Sequence, residues 1–166
     1  MKRHLFLTGA KQEGKSTLIE KFLSNFPGQV GGFRTVRTNA LDGLHFCVHL
    51  LGPKNRVPTR ENLVFSCEMP PDEEVKKRFD RLGCAALQDS QGADLLLMDE
   101  LGPHEVQAEA FQKAVLQALD GPIPVLGVLQ MTPSPFLRQI AQREDVTVLT
   151  VTPENRDTLD LTKFLP

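Results

Sequence analysis

The chain has 166 residues, 40% hydrophobic and 24% charged, with a net charge of −2. That length suits one domain over 1–166 and buries enough surface to need no disulfide or structural metal for stability. The composition gives no overall positive field for nucleic acid, no run of about 18 apolar residues for a membrane span, and too short an apolar stretch after His4 for a secretory signal.

Residues 5–8 read as a strand, and the segment Gly9-Ala10-Lys11-Gln12-Glu13-Gly14-Lys15-Ser16-Thr17 follows at once. This is the pattern G-x-x-x-x-G-K-[ST] between a strand and a helix. Its glycines let backbone N–H groups converge on phosphate oxygens. Lys15 then reaches the β- and γ-phosphates, and the Ser16 hydroxyl is suited to Mg²⁺. The positive dipole end of the following helix adds to the attraction. In that helix Leu18, Ile19, Phe22, Leu23 and Phe26 share a face, and Pro27-Gly28 ends it.

Residues 31–37 and 44–51 read as further strands. In the second, Phe46, Val48 and Leu50 form an inner face, and His45, Cys47 and His49 an outer one. The outer set also has the spacing of zinc ligands, but no fourth ligand is signalled. Residues 52–72 carry four prolines and little periodicity, which predicts a mobile excursion with a short strand at 63–66. Asp72 is placed to cap a helix through Val75, Phe79, Leu82, Ala86 and Leu87. A buried strand is expected at 94–98. Next comes a helix with Val106, Ala110, Phe111, Ala114, Val115, Ala118 and Leu119 inward, ended by Gly121-Pro122.

A strand at 124–129, a helix at 135–143, a strand at 146–151 and a helix at 153–164 complete the chain. Apolar strands alternating with amphipathic helices imply an α/β fold of three layers, its mostly parallel sheet covered by helices on both faces. Cys47, Cys67 and Cys84 form no C-x-x-C pair, which fits a reduced, cytoplasmic setting.

The strand at 94–98 runs into Asp99-Glu100. Open α/β sheets bind ligands at the carboxyl ends of their strands, the edge where the 9–16 loop also lies. An acid there can hold Mg²⁺ or its waters, as Asp99 is expected to do. Glu100 can orient an attacking water or take its proton. Taken alone, such a pair is more simply a helix cap; beside the loop, metal and water handling is the better reading.

These residues carry a resemblance. The chain resembles the small P-loop nucleoside-triphosphatase family of bacteria, archaea and animals that includes the cancer-related nucleoside-triphosphatase. The matching segments are 9–17, Gly31-Gly32-Phe33-Arg34-Thr35 and Met98-Asp99-Glu100-Leu101-Gly102-Pro103-His104-Glu105. They continue through Phe111, Pro124-Val125-Leu126 and Val151-Thr152-Pro153-Glu154-Asn155-Arg156-Asp157. The resemblance implies a P-loop NTPase fold and Mg²⁺-dependent hydrolysis of nucleoside triphosphates, ATP and GTP among them, to diphosphate and phosphate. It assigns Lys15 and Ser16 to phosphate and metal, Asp99 to the Walker B acid, Glu100 to water activation, and Asn155-Arg156 to contacts near the nucleotide. Asn155 and Asp157 can equally serve as caps of the closing loop.

Three departures stand out against that family. It usually has a Glu after the threonine equivalent to Thr35, a Lys at Pro103 and a His at Gln130. A lost Lys weakens stabilisation of charge on the transferring phosphate, so slow hydrolysis or a changed role is expected. Two other readings share the loop: a small-molecule kinase with residues 52–72 as its lid, and a non-hydrolysing nucleotide-binding regulator. Lys76, Lys77, Arg78 and Arg81 read as a solvated helix face or a cationic rim. Arg37, Arg56, Arg60, Arg138 and Arg143 are candidates for a charge-stabilising arginine. A monomer or weak oligomer without a membrane partner is expected.

Overall fold

The computed structural model describes residues 2–11, 14–39, 47–66, 73–102 and 108–166. In chain order these form β1 (His4–Thr8), α1 (Lys15–Asn25), β2 (Val30–Thr38), β3 (Cys47–Leu51), β4 (Leu63–Ser66) and α2 (Glu73–Gln88). They continue as β5 (Leu95–Leu101), α3 (Glu109–Asp120), β6 (Val125–Leu129), α4 (Pro135–Ala141) and β7 (Val146–Thr150). A 3-10 turn at Leu161–Lys163 follows.

The strands make one sheet in the order β4-β3-β2-β5-β6-β1-β7. From β2 to β7 every neighbouring pair is parallel. β3 and β4 extend the sheet beyond β2 as antiparallel strands. The central strands read as unbroken apolar runs because both of their faces are covered. On one face Phe6, Phe33, Leu96 and Met98 pack with Val75 and Phe79 of α2, Phe111 and Val115 of α3, and Phe136 and Ile140 of α4. The Phe111 ring meets Phe33 edge-on with centroids 5.2 Å apart and stacks on Phe79 at 6.2 Å. On the other face Leu5, Leu7, Leu95, Leu97 and Leu126 pack with Leu18 and Ile19 of α1 and with Leu161. The result is the expected three-layer α/β sandwich. No helix among the described residues is long and apolar enough to cross a membrane.

His4 fastens the end of the sheet opposite the 9–16 loop. Its Nε2 is 3.0 Å from Leu119 O, and Val125 N–H donates to its Nδ1 at 3.1 Å. Beside it Arg143 forms ion pairs with Asp145 and Asp120.

Several elements differ from the sequence reading. The helix expected over 153–164 is replaced by turns and the short 3-10 segment. Asn155 and Asp160 divert backbone donors into local bonds: Thr152 N–H donates to Asn155 Oδ1 and Thr162 N–H to Asp160 Oδ1. Such side chains offer the backbone an alternative to helix. β5 runs three residues further than expected, to Leu101, so both carboxylates belong to the strand itself. Cys47 and His49 do not face outwards. Both are fully buried, and Asn62 Oδ1 bonds His49 Nδ1 at 2.9 Å. Asn62 also accepts from Thr59 N–H and donates to Val57 O, so the stretch at 57–62 is tied down rather than loose. His45, Cys67, the Asp72 cap, Val106 and the 103–105 departure lie outside the described residues.

Candidate active site

β1 ends at Thr8, and the chain turns through Gly9 and Gly14 into α1. Both glycines have positive φ, 143° and 96°. A side chain at Gly9 would lie 2.6 Å from Val151 O, and one at Gly14 would lie 3.2 Å from Arg156 Cδ. The loop is therefore pressed against the segment that leaves β7. Lys15 Nζ donates to Gly9 O at 2.8 Å and to Ala10 O at 2.6 Å. Those bonds aim the ammonium back over the loop and leave it a third proton for an anion. Ser16 and Thr17 are exposed in the first turn of α1, Lys11 is exposed, and Gln12 and Glu13 lie outside the described residues.

The acids come from β5. One strand, β6, separates it from β1, so the loop strand and the acid strand run about 10 Å apart, two strand spacings. Asp99 is 13% exposed. Burial pushes its carboxyl above the ordinary carboxylate range, Arg34 pulls it back, and the Glu100 and Glu20 charges raise it further. Arg34 is its register partner on β2 and donates Nε–H to Asp99 Oδ2 at 3.2 Å. Burial lowers the Arg34 guanidinium, but its bonds to Glu20 and Asp99 more than offset this and hold it above its ordinary value.

Glu100 has a different partner. Gln130, just past β6, donates Nε2–H to Glu100 Oε1 at 2.5 Å. Gln130 N–H also donates to Leu101 O, which locks the end of β6 to β5. Gly102 makes room for this side chain, because a Cβ there would lie 2.6 Å from Gln130 Cδ. Two carboxylates one residue apart thus have separate anchors, a cation for Asp99 and a neutral amide for Glu100.

The exit of β7 closes the edge. Asn155 accepts from Thr152 N–H and donates Nδ2–H to Thr150 O at 2.9 Å, so its side chain shapes the loop. Arg156 follows, its stem against Gly14, and a hollow of about 400 Å³ opens between Gly14, Thr17, Lys21, Arg156 and Asp157.

Ser16 in the first turn of α1 and Asp99 on β5 carry hard oxygen atoms of the kind that suits Mg²⁺, and Glu100 follows Asp99 on the same strand. Arg34 and Gln130 were not assigned from sequence. Register arithmetic could have found Arg34, but only with the β2–β5 pairing known. Of the five candidate arginines, Arg143 is held by Asp120 and Asp145 at the far end of the sheet. Arg37, Arg56, Arg60 and Arg138 are exposed.

The NTPase family profile matches residues 4–162. The human cancer-related nucleoside-triphosphatase is 31% identical over 186 aligned positions, which cover 96% of this chain and 93% of that protein. Nucleoside-triphosphatase THEP1 of Thermotoga sp. strain RQ2 is 26% identical over 162 positions, covering 93% and 90%. The crystal structure of THEP1 from the hyperthermophile Aquifex aeolicus has the same fold, with a TM-score of 0.74 over 93% of both chains at 19% identity. The chain belongs to this family of small P-loop NTPases, enzymes that hydrolyse nucleoside triphosphates.

Proposed function

We propose that this single-domain protein hydrolyses nucleoside 5′-triphosphates, ATP and GTP among them, to the diphosphate and phosphate in a Mg²⁺-dependent reaction in the cytoplasm. One observation carries the reading: the 9–16 loop with Lys15, and the anchored Asp99 and Glu100, face one edge of the sheet with β6 between them.

The triphosphate lies along the loop, with N–H groups of residues 9–17 and Lys15 Nζ on its oxygens. Ser16 and Asp99 would hold Mg²⁺, which would neutralise charge on the phosphates. Glu100 accepts a hydrogen bond from the attacking water and orients it in line with the bond that breaks. The Gln130 amide fixes one Glu100 oxygen, which supports use of the other for water. Arg156 and its neighbours line the hollow available to the base. Broad base tolerance is part of this reading, as the family resemblance implies.

The test is phosphate release from ATP, GTP, CTP and UTP with Mg²⁺, run beside Lys15→Ala and Glu100→Gln. We expect release by the natural protein without any acceptor, and none above background from Glu100→Gln. Release that depends on an added nucleoside or metabolite would instead indicate a kinase. Tight binding without release at any Mg²⁺ concentration would indicate a regulator.

A further inference from the structure

Arg34 joins three elements. From β2 it donates to Asp99 on β5 at 3.2 Å, and its Nη1 donates to Glu20 on α1. Glu20 comes four residues after Ser16 in the helix, so the two side chains share a face one turn apart. The row Asp99–Arg34–Glu20 therefore crosses from the sheet to the helix that carries Ser16. The two ends differ in setting: Asp99 is 13% exposed, whereas Glu20 is 58% exposed. A carboxylate as buried as Asp99 needs a cation. A guanidinium and a divalent ion can each meet that need at the same carboxylate, and Arg34 holds it through Oδ2.

We infer that Arg34 is an exchangeable counter-cation for Asp99, which it neutralises until Mg²⁺ arrives with the triphosphate and then releases by moving wholly onto Glu20. The Arg34–Glu20 pair thereby sets how much Mg²⁺ the enzyme requires. This rests on the assignment of Asp99 to Mg²⁺ proposed above.

Two substitutions act in opposite directions. Arg34→Gln removes the competitor and lowers the Mg²⁺ requirement. Glu20→Gln removes the resting place, leaves Arg34 on Asp99 and raises the requirement. The measurement is the melting temperature of the full chain as MgCl₂ is titrated, alone and with a saturating non-hydrolysable ATP analogue. The expected shifts in the half-saturating Mg²⁺ concentration are about threefold down and about threefold up, the scale of one partly exposed ion pair. Arg34→Gln should also be stabilised by Mg²⁺ without nucleotide, and the natural protein should not. Shifts in the same direction, or none, overturn the exchange. Should Arg34→Gln not fold, Glu20→Gln on the helix surface decides, and an unchanged or lowered requirement overturns the exchange. If the analogue stabilises the natural protein equally with and without Mg²⁺, the Asp99 assignment itself fails. A normal Mg²⁺ response in the natural protein with no split between the variants overturns the exchange alone.

Discussion

The Gln130 amide donates to the Glu100 carboxylate, Nε2 to Oε1 at 2.5 Å, across the boundary between β6 and β5. A neutral donor orients the carboxylate without quenching its charge. Gln130→Ala should leave nucleotide affinity within about twofold and lower kcat by about tenfold, the scale of a misplaced water rather than a lost base. Steady-state kinetics with a separate nucleotide-binding measurement check this. A loss of affinity with kcat intact would show that Gln130 serves binding.

Gly102 tests the same contact from the other side. The three atoms nearest to a methyl group there all belong to the Gln130 side-chain amide, its Cδ 2.6 Å away. Because the end of a flexible side chain gives way, Gly102→Ala should change the melting temperature little and still lower kcat about as much as Gln130→Ala. The double variant should be no slower than either single one, since both remove one interaction.

Lys15 and Glu100 separate binding from turnover. Lys15→Ala removes a charged donor and should weaken triphosphate binding by at least about tenfold. Glu100→Gln keeps the shape of the side chain and should bind normally while kcat falls by about a hundredfold or more. Fluorescent-nucleotide titration beside phosphate release distinguishes the two.

Stability should fall in mild acid, with a residue far from the site responsible. Burial pushes His4 below its ordinary value of 6.5, against the Leu119 carbonyl and Asp145, which raise it; Arg3 and Arg143 lower it further. The folded protein keeps the neutral ring, whose Nδ1 accepts from Val125 N–H. The unfolded chain takes up a proton as pH drops through about 6.5, and the folded one only at a lower pH. His4 therefore contributes full stability above that pH and loses it below. Urea unfolding should show a lower stability at pH 5.5 than at pH 7.5, a difference that His4→Gln should largely abolish. Asp145 adds a second step at lower pH. Its bond to Arg143 holds it below 3.8, so its contribution is present above 3.8 and is lost as pH falls through the lowered value.

The sequence made much of this legible where one local rule governs. The run Leu5-Phe6-Leu7 before Gly9 marks β1 and the loop, and the apolar stretch ending in Asp99-Glu100 marks the acid strand. What escaped depends on distant partners. Arg34 faces Asp99 only because β2 and β5 pair in that register. Gln130 is a departure from the family by sequence and an anchor of Glu100 by geometry. The closing segment misled because Leu161, Phe164 and Leu165 mimic a helical stripe. In the structure they pack on the α1 side of the sheet, while Asn155 and Asp160 spend their side chains on their own backbone.

The place of β6 between β1 and β5 has a further effect. Ladder hydrogen bonds on both sides of β6 set the spacing between the strand that leads into the loop and the strand that carries the acids. With the roles proposed above, that spacing works as a gauge of phosphate-chain length. A triphosphate would reach from Lys15 to Asp99 and Glu100, whereas the diphosphate product held by the loop would fall short. The sheet itself would then help to tell substrate from the end products of hydrolysis.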